Sequence, residues 1–353
     1  MRYLNGLLRR LRSFLALLCF VSSIVVLVQL DWPSLLPGKS HAHYGGTGRR
    51  LAPKGVLLLT QMRSGSSFAG ALLTTAAATF YTEEPVREYL LLPPSSPEDV
   101  STALTLLRDI LRCRFVSRPD YFQKRLMGLH DHNIPTINLC AFSVDLCLSP
   151  HTSEALCLAS HVRLARVVAL DLGLAAPLVH DTDIDTHVIH LVRDPRGVIS
   201  SREKLSVKGY FVGDALNASS VCNRYRRDMI GAAYVKASFP HRYTLLRYED
   251  LSLHPAQELR RLYDILGLSY TAKVASKLAY RTLGLAKDNS YSYGTFRNST
   301  ATVFRWRTRL SFDQMKEIQE SCLDVLEAYG YRVFGSREEY EDRGLRVLLP
   351  VKS

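Results

Sequence analysis

Gly55-Val56-Leu57-Leu58-Leu59-Thr60-Gln61-Met62-Arg63-Ser64-Gly65-Ser66-Ser67-Phe68 decides how this chain is read. Its first half is a continuous apolar run, as a parallel strand covered on both faces requires. Its second half is a turn of glycine and serines opening into a helix expected over about 66–78. Such a turn presents backbone N–H groups and hydroxyls to an anion, and Arg63 adds a cation. The pattern differs from the loop of nucleoside triphosphatases. Nothing fits G-x-x-x-x-G-K-[ST], and the cation precedes the glycine, which disfavours ATP or GTP hydrolysis. A capped helix start is the plainer reading of the same residues.

A second junction has matching chemistry. His187–Val192 reads as a strand, and Arg193-Asp194-Pro195-Arg196-Gly197 leads from it into a helix near 196–204. Pro195 suits a first helical turn. Arg193 and Ser201, two turns apart, can bracket a phosphate, since arginine offers the forked geometry that phosphate accepts. A solvated charged helix is the alternative. Further strands are expected at 79–82, 166–172 and 242–246. Helices are expected over 97–112, 219–238 and 255–266, with a last amphipathic one starting at Ser311. Residues 113–162 contain cysteines and show no readable order. Strands alternating with helices predict an α/β fold, a central parallel sheet flanked by helices. Ligands of such a sheet gather beyond the carboxyl ends of its strands.

The chain of 353 residues is 47% apolar and 22% charged, enough for a sizeable core. Its net charge of +12 points to an acidic partner. Arg2, Arg9, Arg10 and Arg12 precede the uncharged run Ser13–Leu30, whose eighteen residues span about 27 Å as a helix. Arginines before the span stay cytoplasmic. The expected order is therefore a cytoplasmic tail (1–12), a transmembrane signal anchor (13–30), a stem rich in Gly, Pro, His and Ser (31–53) and a luminal domain (54–353). Outside the span remain six cysteines, Cys113, Cys140, Cys147, Cys157, Cys222 and Cys322. An even number suits an oxidising compartment, and the pairing stays open. Asn217-Ala218-Ser219 and Asn298-Ser299-Thr300 are N-glycosylation acceptors. Nucleic acid fits the charge but not the lumen.

Taken together, Arg63-Ser-Gly-Ser-Ser-Phe68 and Arg193-Asp-Pro-Arg196 with Ser200-Ser201-Arg202 resemble the two phosphate loops of sulfotransferases that use 3′-phosphoadenosine-5′-phosphosulfate (PAPS). The resemblance continues in Cys222-Asn-Arg-Tyr225, Arg247-Tyr-Glu-Asp-Leu251, Arg297-Asn-Ser-Thr300, Phe304-Arg-Trp-Arg307, Ile318-Gln319 with Cys322, and Tyr329-Gly-Tyr331. Spanning residues 55–334 and weakest over about 90–180, this set is similar to the Golgi carbohydrate 6-O-sulfotransferases acting on galactose, N-acetylglucosamine or N-acetylgalactosamine. It implies a P-loop-like sulfotransferase fold after an N-terminal transmembrane helix. It implies that Arg63, Ser64, Gly65, Ser66 and Ser67 hold the 5′-phosphosulfate and that Phe68 packs near the adenine. Arg193 and Ser201 would hold the 3′-phosphate. Arg63 would also act in catalysis, stabilising charge on the leaving phosphate. PAPS is then the sulfate donor, and no metal is demanded, because a sulfuryl group carries less charge than a phosphoryl group. The acceptor is a hexose or N-acetylhexosamine 6-hydroxyl in a glycan of keratan, chondroitin or N/O-glycan type. The Golgi membrane is engaged through residues 13–30, and a homodimer is compatible with this reading.

A hydroxyl acceptor needs a base. Tyr81-Thr82-Glu83-Glu84-Pro85 follows the second strand, and the family's aromatic-x-x-Glu-Pro pattern maps onto Glu84. Glu83 takes the role if the register slips by one, and an exposed acidic turn is the plain alternative. Arg87 is placed to grip an anionic glycan. Two departures from the family bear on acceptor identity. Val168-Ala169-Leu170-Asp171 stands where relatives carry basic residues, and Val86–Leu90 is not aromatic-rich. Among rival readings, Asp181-x-Asp183-x-Asp185 could hold Mn²⁺ in a metal-dependent Golgi glycosyltransferase. That triplet precedes a strand, however, which puts it at the wrong end of the sheet. His130-Asp131-His132 reads as a solvated loop. A non-catalytic Golgi glycan-binding protein is the remaining alternative.

Overall fold

Five strands form one sheet in the computed structural model: β1 (Lys54–Leu59), β2 (Thr79–Glu83), β3 (Val162–Val167), β4 (Asp185–Val192) and β5 (Tyr243–Arg247). Every pairing is parallel, in the order β2-β3-β1-β4-β5. The structure describes residues 53–76, 78–90, 96–118, 121, 134–284, 295–296 and 298–351. The expected tail, the anchor 13–30, the stem up to residue 52, and His130-Asp131-His132 lie outside these residues. Among the described residues no helix is long and apolar enough to cross a membrane.

The apolar run of β1 is explained by its central place. Leu57 and Leu59 enter one core with Phe80, Ala165, Val167 and Val188. Val56 and Leu58 enter the other with Tyr81, Leu164, Ile189 and Leu191. Because both faces are buried, no polar alternation remains in the sequence. Helix α1 (Ser66–Leu73) and helix α6 (Pro255–Leu266) cover the second face, and α2 (Pro97–Leu111) covers the first. Ser96 and Asp99 start α2 with a reciprocal capping box, and Pro97 sits in its first turn. Helices α4 (Pro195–Ser206), α5 (Ala218–Ser238) and α7 (Phe312–Ser321) enclose a third core around Val198, Cys222, Trp306 and Met315.

Three expectations need correction. Helix α1 ends at Leu73, short of residue 78, where the Thr74 and Thr75 hydroxyls both donate to the Ala71 carbonyl. Such local bonds compete with the helical ladder. The strand expected at 166–172 lies at Val162–Val167, since β3 pairs with β1 from Lys54↔Val162 to Leu59↔Val167. Val168 and Leu170 are apolar because they are buried beyond the strand, not because they extend it. The segment 113–162, which offered no order to sequence reading, contains helices Ile134–Phe142, Val144–Cys147 and α3 (Pro150–Ala159). Ser143 and Ser149 cap the second and third of these. The helix Ala272–Thr282, capped by Thr271, was also not anticipated.

The six cysteines pair as Cys113–Cys157, Cys140–Cys147 and Cys222–Cys322. The last joins the first turns of α5 to the end of α7 across 100 residues of chain. Both of its cysteines are fully buried in the third core. Closing a loop that long restricts the unfolded chain by about 4–5 kcal/mol in the chain-entropy picture. Replacing both cysteines by alanine is therefore expected to lower unfolding stability by about 3–5 kcal/mol, measured by denaturant titration of the full-length protein. An unchanged midpoint would remove the disulfide from the account of stability.

Candidate active site

β1 and β4 lie side by side, and the chain leaves them in opposite directions, toward β2 and toward β5. Their carboxyl ends therefore open a crevice at a topological switch point. A cleft of about 380 Å³ occupies it. Met62, Arg63, Gly65, Ser66 and Ser67 line it from the β1 side, and Arg193, Gly197, Ser200 and Ser201 line it from the β4 side. Glu84 reaches it from just beyond β2, and Arg166 from near the carboxyl end of β3.

The first turn has one tolerable sequence at its tip. Gly65 has φ +90°, and a Cβ there would lie 2.3 Å from the Tyr248 ring. Arg63 also takes the left-handed conformation, at φ 73°. Three arginines then knit the two junctions together. Arg193 Nη1 donates to the Arg63 carbonyl at 2.8 Å, Arg63 Nε donates to Ser201 Oγ at 3.2 Å, and Arg202 Nη2 donates to the Met62 carbonyl at 3.1 Å. The Arg193 guanidinium lies 4.5 Å from the Tyr248 ring centroid. Its Nε is buried with no hydrogen-bond partner among the described residues.

Of the expected ligand residues in this turn, Ser64 does not line the cleft. Ser64 is fully buried beneath the turn, and its N–H closes the turn onto the Gln61 carbonyl. The Phe68 ring is fully buried in the core with Leu72 and Tyr248. It also lines the cleft.

Within Arg193-Asp194-Pro195-Arg196 the division of labour is sharp. Arg193 turns to the cleft, while Asp194 and Arg196 are both 0% exposed and form a two-pronged ion pair. Arg196 stacks 4.5 Å over Trp306 and donates to Gln319 Oε1 and to the Arg332 carbonyl. Glu249 accepts from the Asp194 N–H and the Tyr331 hydroxyl. Burial, followed by the Asp194 charge, pushes the Glu249 carboxyl up to about 7.

The strand register builds the acidic side of the cleft. Glu83 pairs with Arg166 across β2 and β3. Arg166 Nη2 bonds Glu83 and lies 3.0 Å from Glu84 Oε1, while its Nη1 donates to Ser66 Oγ at 2.8 Å and Ser67 Oγ at 3.2 Å. One buried guanidinium thus bridges the serine turn and both carboxylates. Glu84, at φ 44°, lines the cleft and Glu83 does not. Arg87 Nη1 holds the other Glu84 oxygen at 3.3 Å. Sequence reading missed Arg166 because it began the strand four residues late. The signal was there: a charged residue inside a buried strand requires charged partners.

Eight cations line the cleft, Arg63, Arg87, Arg166, Arg193, Lys204, Lys208, Arg305 and Arg309, against the single carboxylate of Glu84. Burial lowers the Arg309 guanidinium, and the charges of Arg305 and Arg193 lower it further. An anion bound there would relieve this repulsion. Asp181, Asp183 and Asp185 lie at the other end of the sheet, bound by Arg108, Arg112, Lys54 and Arg242. No group of three metal-ligating side chains is present among the described residues. Asn217 and Asn298 are exposed helix caps, their side chains accepting from Ser220 N and Ala301 N.

The model of the Sulfotransferase family matches residues 175–272, a stretch that begins before β4 and includes the Arg193 junction, α4, α5, β5 and α6. Human carbohydrate sulfotransferase 6 is 30% identical over 340 residues, covering 84% of this chain and 85% of that protein. Human carbohydrate sulfotransferase 5 is 29% identical over 339 residues, covering 84% and 82%. Mouse carbohydrate sulfotransferase 1 is 28% identical over 340 residues, covering 83% of each. Among solved structures, the sulfotransferase domain from the Synechococcus PCC 7002 olefin synthase superposes with a TM-score of 0.45 at 15% identity, over 80% of this chain and 97% of that one.

Two outcomes follow from this geometry. Gly65→Ala should cost about 1–2 kcal/mol from its left-handed backbone alone, with further loss from the Tyr248 clash. Binding of adenosine 3′,5′-bisphosphate (PAP), followed by calorimetry, should fall with it, and parental affinity would contradict the packing argument. Glu249 gives a pH signature. Its folded value of about 7 lies above the ordinary 4.5, so its contribution to stability is complete below 4.5 and is lost as pH rises to about 7. The loss amounts to about 3 kcal/mol. Thermal melting of Glu249→Gln should therefore gain on the parent across that window and run parallel above it. A constant offset at all pH values would sink the assignment.

Proposed function

The chain belongs to the carbohydrate sulfotransferase family, and we propose that it moves the sulfuryl group of PAPS to the 6-hydroxyl of a hexose or N-acetylhexosamine in a glycan. The observation that carries this reading is the convergence of two cation-bearing strand-to-helix junctions on one crevice, with Glu84 facing them across it. The residues fit an anionic donor. The lining is strongly cationic, Arg193 Nε lacks a partner among the described residues, and the volume lies within the range of small-ligand sites.

When bound, PAPS supplies the activated sulfuryl group. Arg63, with the N–H groups and hydroxyls of Gly65, Ser66 and Ser67, is proposed to hold the 5′-phosphosulfate. Arg193 and Ser201 would hold the 3′-phosphate. Arg63 is anchored by Ser201 and therefore stands between the two sets, placed to neutralise charge that develops on the leaving oxygen. Glu84 would accept the proton of the sugar hydroxyl as the new S–O bond forms. Arg166 is a positioning residue in this scheme, because it fixes Glu84 relative to Ser66 and Ser67. Alignment of acceptor oxygen, sulfur and leaving oxygen is the main demand of such a transfer, by analogy with phosphoryl transfer.

The rest of the reading is of the same standing. Residues 13–30 would anchor a type II protein in the Golgi membrane, with the domain in the lumen. Three disulfides and the exposed sequons at Asn217 and Asn298 support an oxidising, glycosylating compartment.

The test uses full-length protein made through a secretory pathway, ³⁵S-labelled PAPS, and acceptors ending in galactose, N-acetylglucosamine or N-acetylgalactosamine. Label at C6 of one sugar is expected, and absence of both label and PAP binding would overturn the reading. Arg63→Ala and Ser201→Ala should weaken PAP binding. Glu84→Gln should lower turnover by about 10²–10⁴-fold at unchanged PAP affinity. If Glu83→Gln does this instead, the base is Glu83.

A further inference from the structure

The two glycosylation acceptors have different surroundings. Asn217 caps α5 and is not among the residues that line the cleft. Asn298 is exposed and lines it, ahead of Ala301, Thr302, Arg305 and Arg309, which line it in turn. This stretch stands beside the Arg193 junction. A Cβ on Gly197 would lie 3.1 Å from both Arg193 Nε and Trp306 Cδ1, and the Arg193 charge bears on the Arg309 guanidinium. A substituent on Asn298 is therefore attached to the part of the lining that adjoins the proposed 3′-phosphate residues.

The attachment point is held in place. Asn298 forms an antiparallel bridge with Leu283, and a Cβ on Gly284 would lie 3.4 Å from the Asn298 Cβ. Ser299 is buried, and its hydroxyl donates to the Ser252 carbonyl at 2.7 Å. Asn298 Oδ1 accepts from the Ala301 N–H at 3.0 Å and from the Thr300 hydroxyl at 2.9 Å. Its Nδ2, the atom that a sugar would take, forms no hydrogen bond among the described residues. Substitution at nitrogen keeps the oxygen that caps the helix Ser299–Thr302, so a chain glycosylated during synthesis retains the local bonds of the unmodified one.

Resting on the donor reading above, we infer that Asn298 carries an N-glycan in a fraction of the molecules and that this fraction holds the nucleotide donor weakly, which makes the acceptor sequence an off switch set at synthesis. The co-reactant is a polyprenyl-diphosphate oligosaccharide. Asn298 Nδ2 bonds C1 of its first N-acetylglucosamine, the C1–O bond to the diphosphate breaks, and the amide proton is lost as the diphosphate leaves. The sugar chain then crowds the mouth that the donor must pass, because it is bulky and joined to a residue of the lining itself.

The test uses the full-length Ser219→Ala protein made through a secretory pathway. That change abolishes the acceptor at Asn217 and leaves its cap intact, so Asn298-Ser299-Thr300 is the N-x-S/T acceptor that remains. Concanavalin A separates glycosylated from unglycosylated molecules, peptide mass spectrometry reads occupancy of Asn298, and calorimetry gives the PAP affinity of each fraction. The glycosylated fraction should bind PAP about tenfold more weakly or worse and melt with the unglycosylated one. Trimming with endoglycosidase H, which leaves one N-acetylglucosamine, should restore part of the affinity. Thr300→Ala, which removes the acceptor and keeps Asn298, should give protein of uniform, full affinity. Equal PAP affinity in the two fractions overturns the inference alone, and so does an unoccupied Asn298. A weaker affinity that comes with a lower melting temperature assigns the effect to folding and overturns it as well. Absence of PAP binding in both fractions overturns the donor reading, and this inference with it.

Discussion

Arg193 and Arg196 are three residues apart and serve opposite ends, and the buried pair of Asp194 with Arg196 is what separates them. With no water to share their charge, these side chains can exist only as a closed unit, satisfied by each other, by Trp306 and by Gln319. That requirement draws the 319–332 region against the start of α4 and brings Glu249 beside the same backbone turn. Arg193 is thereby left one orientation, over Tyr248 and into the crevice. Breaking either buried partner would leave an uncompensated charge, so the cleft and the third core stand or fall together.

Topology does the rest. In the order β2-β3-β1-β4-β5, the two strands that carry the basic turns are neighbours, although about 130 residues separate them in sequence. Neither junction is remarkable by itself. Side by side, each stabilises the other: the Arg63 carbonyl accepts from Arg193, and the Arg63 side chain reaches Ser201. The site is thus assembled by sheet pairing and needs no contiguous motif.

This explains what could be read from sequence and what could not. β1, β4, α2 and α6 were legible because their hydrophobic patterns match their burial. Both junctions were legible because glycine, serine and arginine at a strand end have few other uses. The register of β3 was not legible, since Val162–Leu170 is apolar throughout except for its arginines, and only pairing with β1 decides which six residues form the strand. With it went Arg166 and the reason Glu83 and Glu84 occupy different positions. The position of Ser64 was not legible for a related reason: a motif shows which residue types are near a ligand, while backbone geometry decides which of them line the cleft, and Phe68 does where Ser64 does not. The helices within 113–162 lack strong periodicity and are held by caps and by the Cys113–Cys157 and Cys140–Cys147 bonds, whose pairing is a property of the folded chain.

Arg63 and Glu84 share an uncommon trait: each is a bulky charged residue in a backbone conformation that glycine adopts at little cost. The fold therefore carries about 1–3 kcal/mol of strain at each position, at two of the places where charge faces the cleft. Selection for heat resistance would be expected to find glycine or asparagine there, and each such change would remove a charged group from the site. The most thermally robust descendants of this chain and its most active ones should diverge at these two residues.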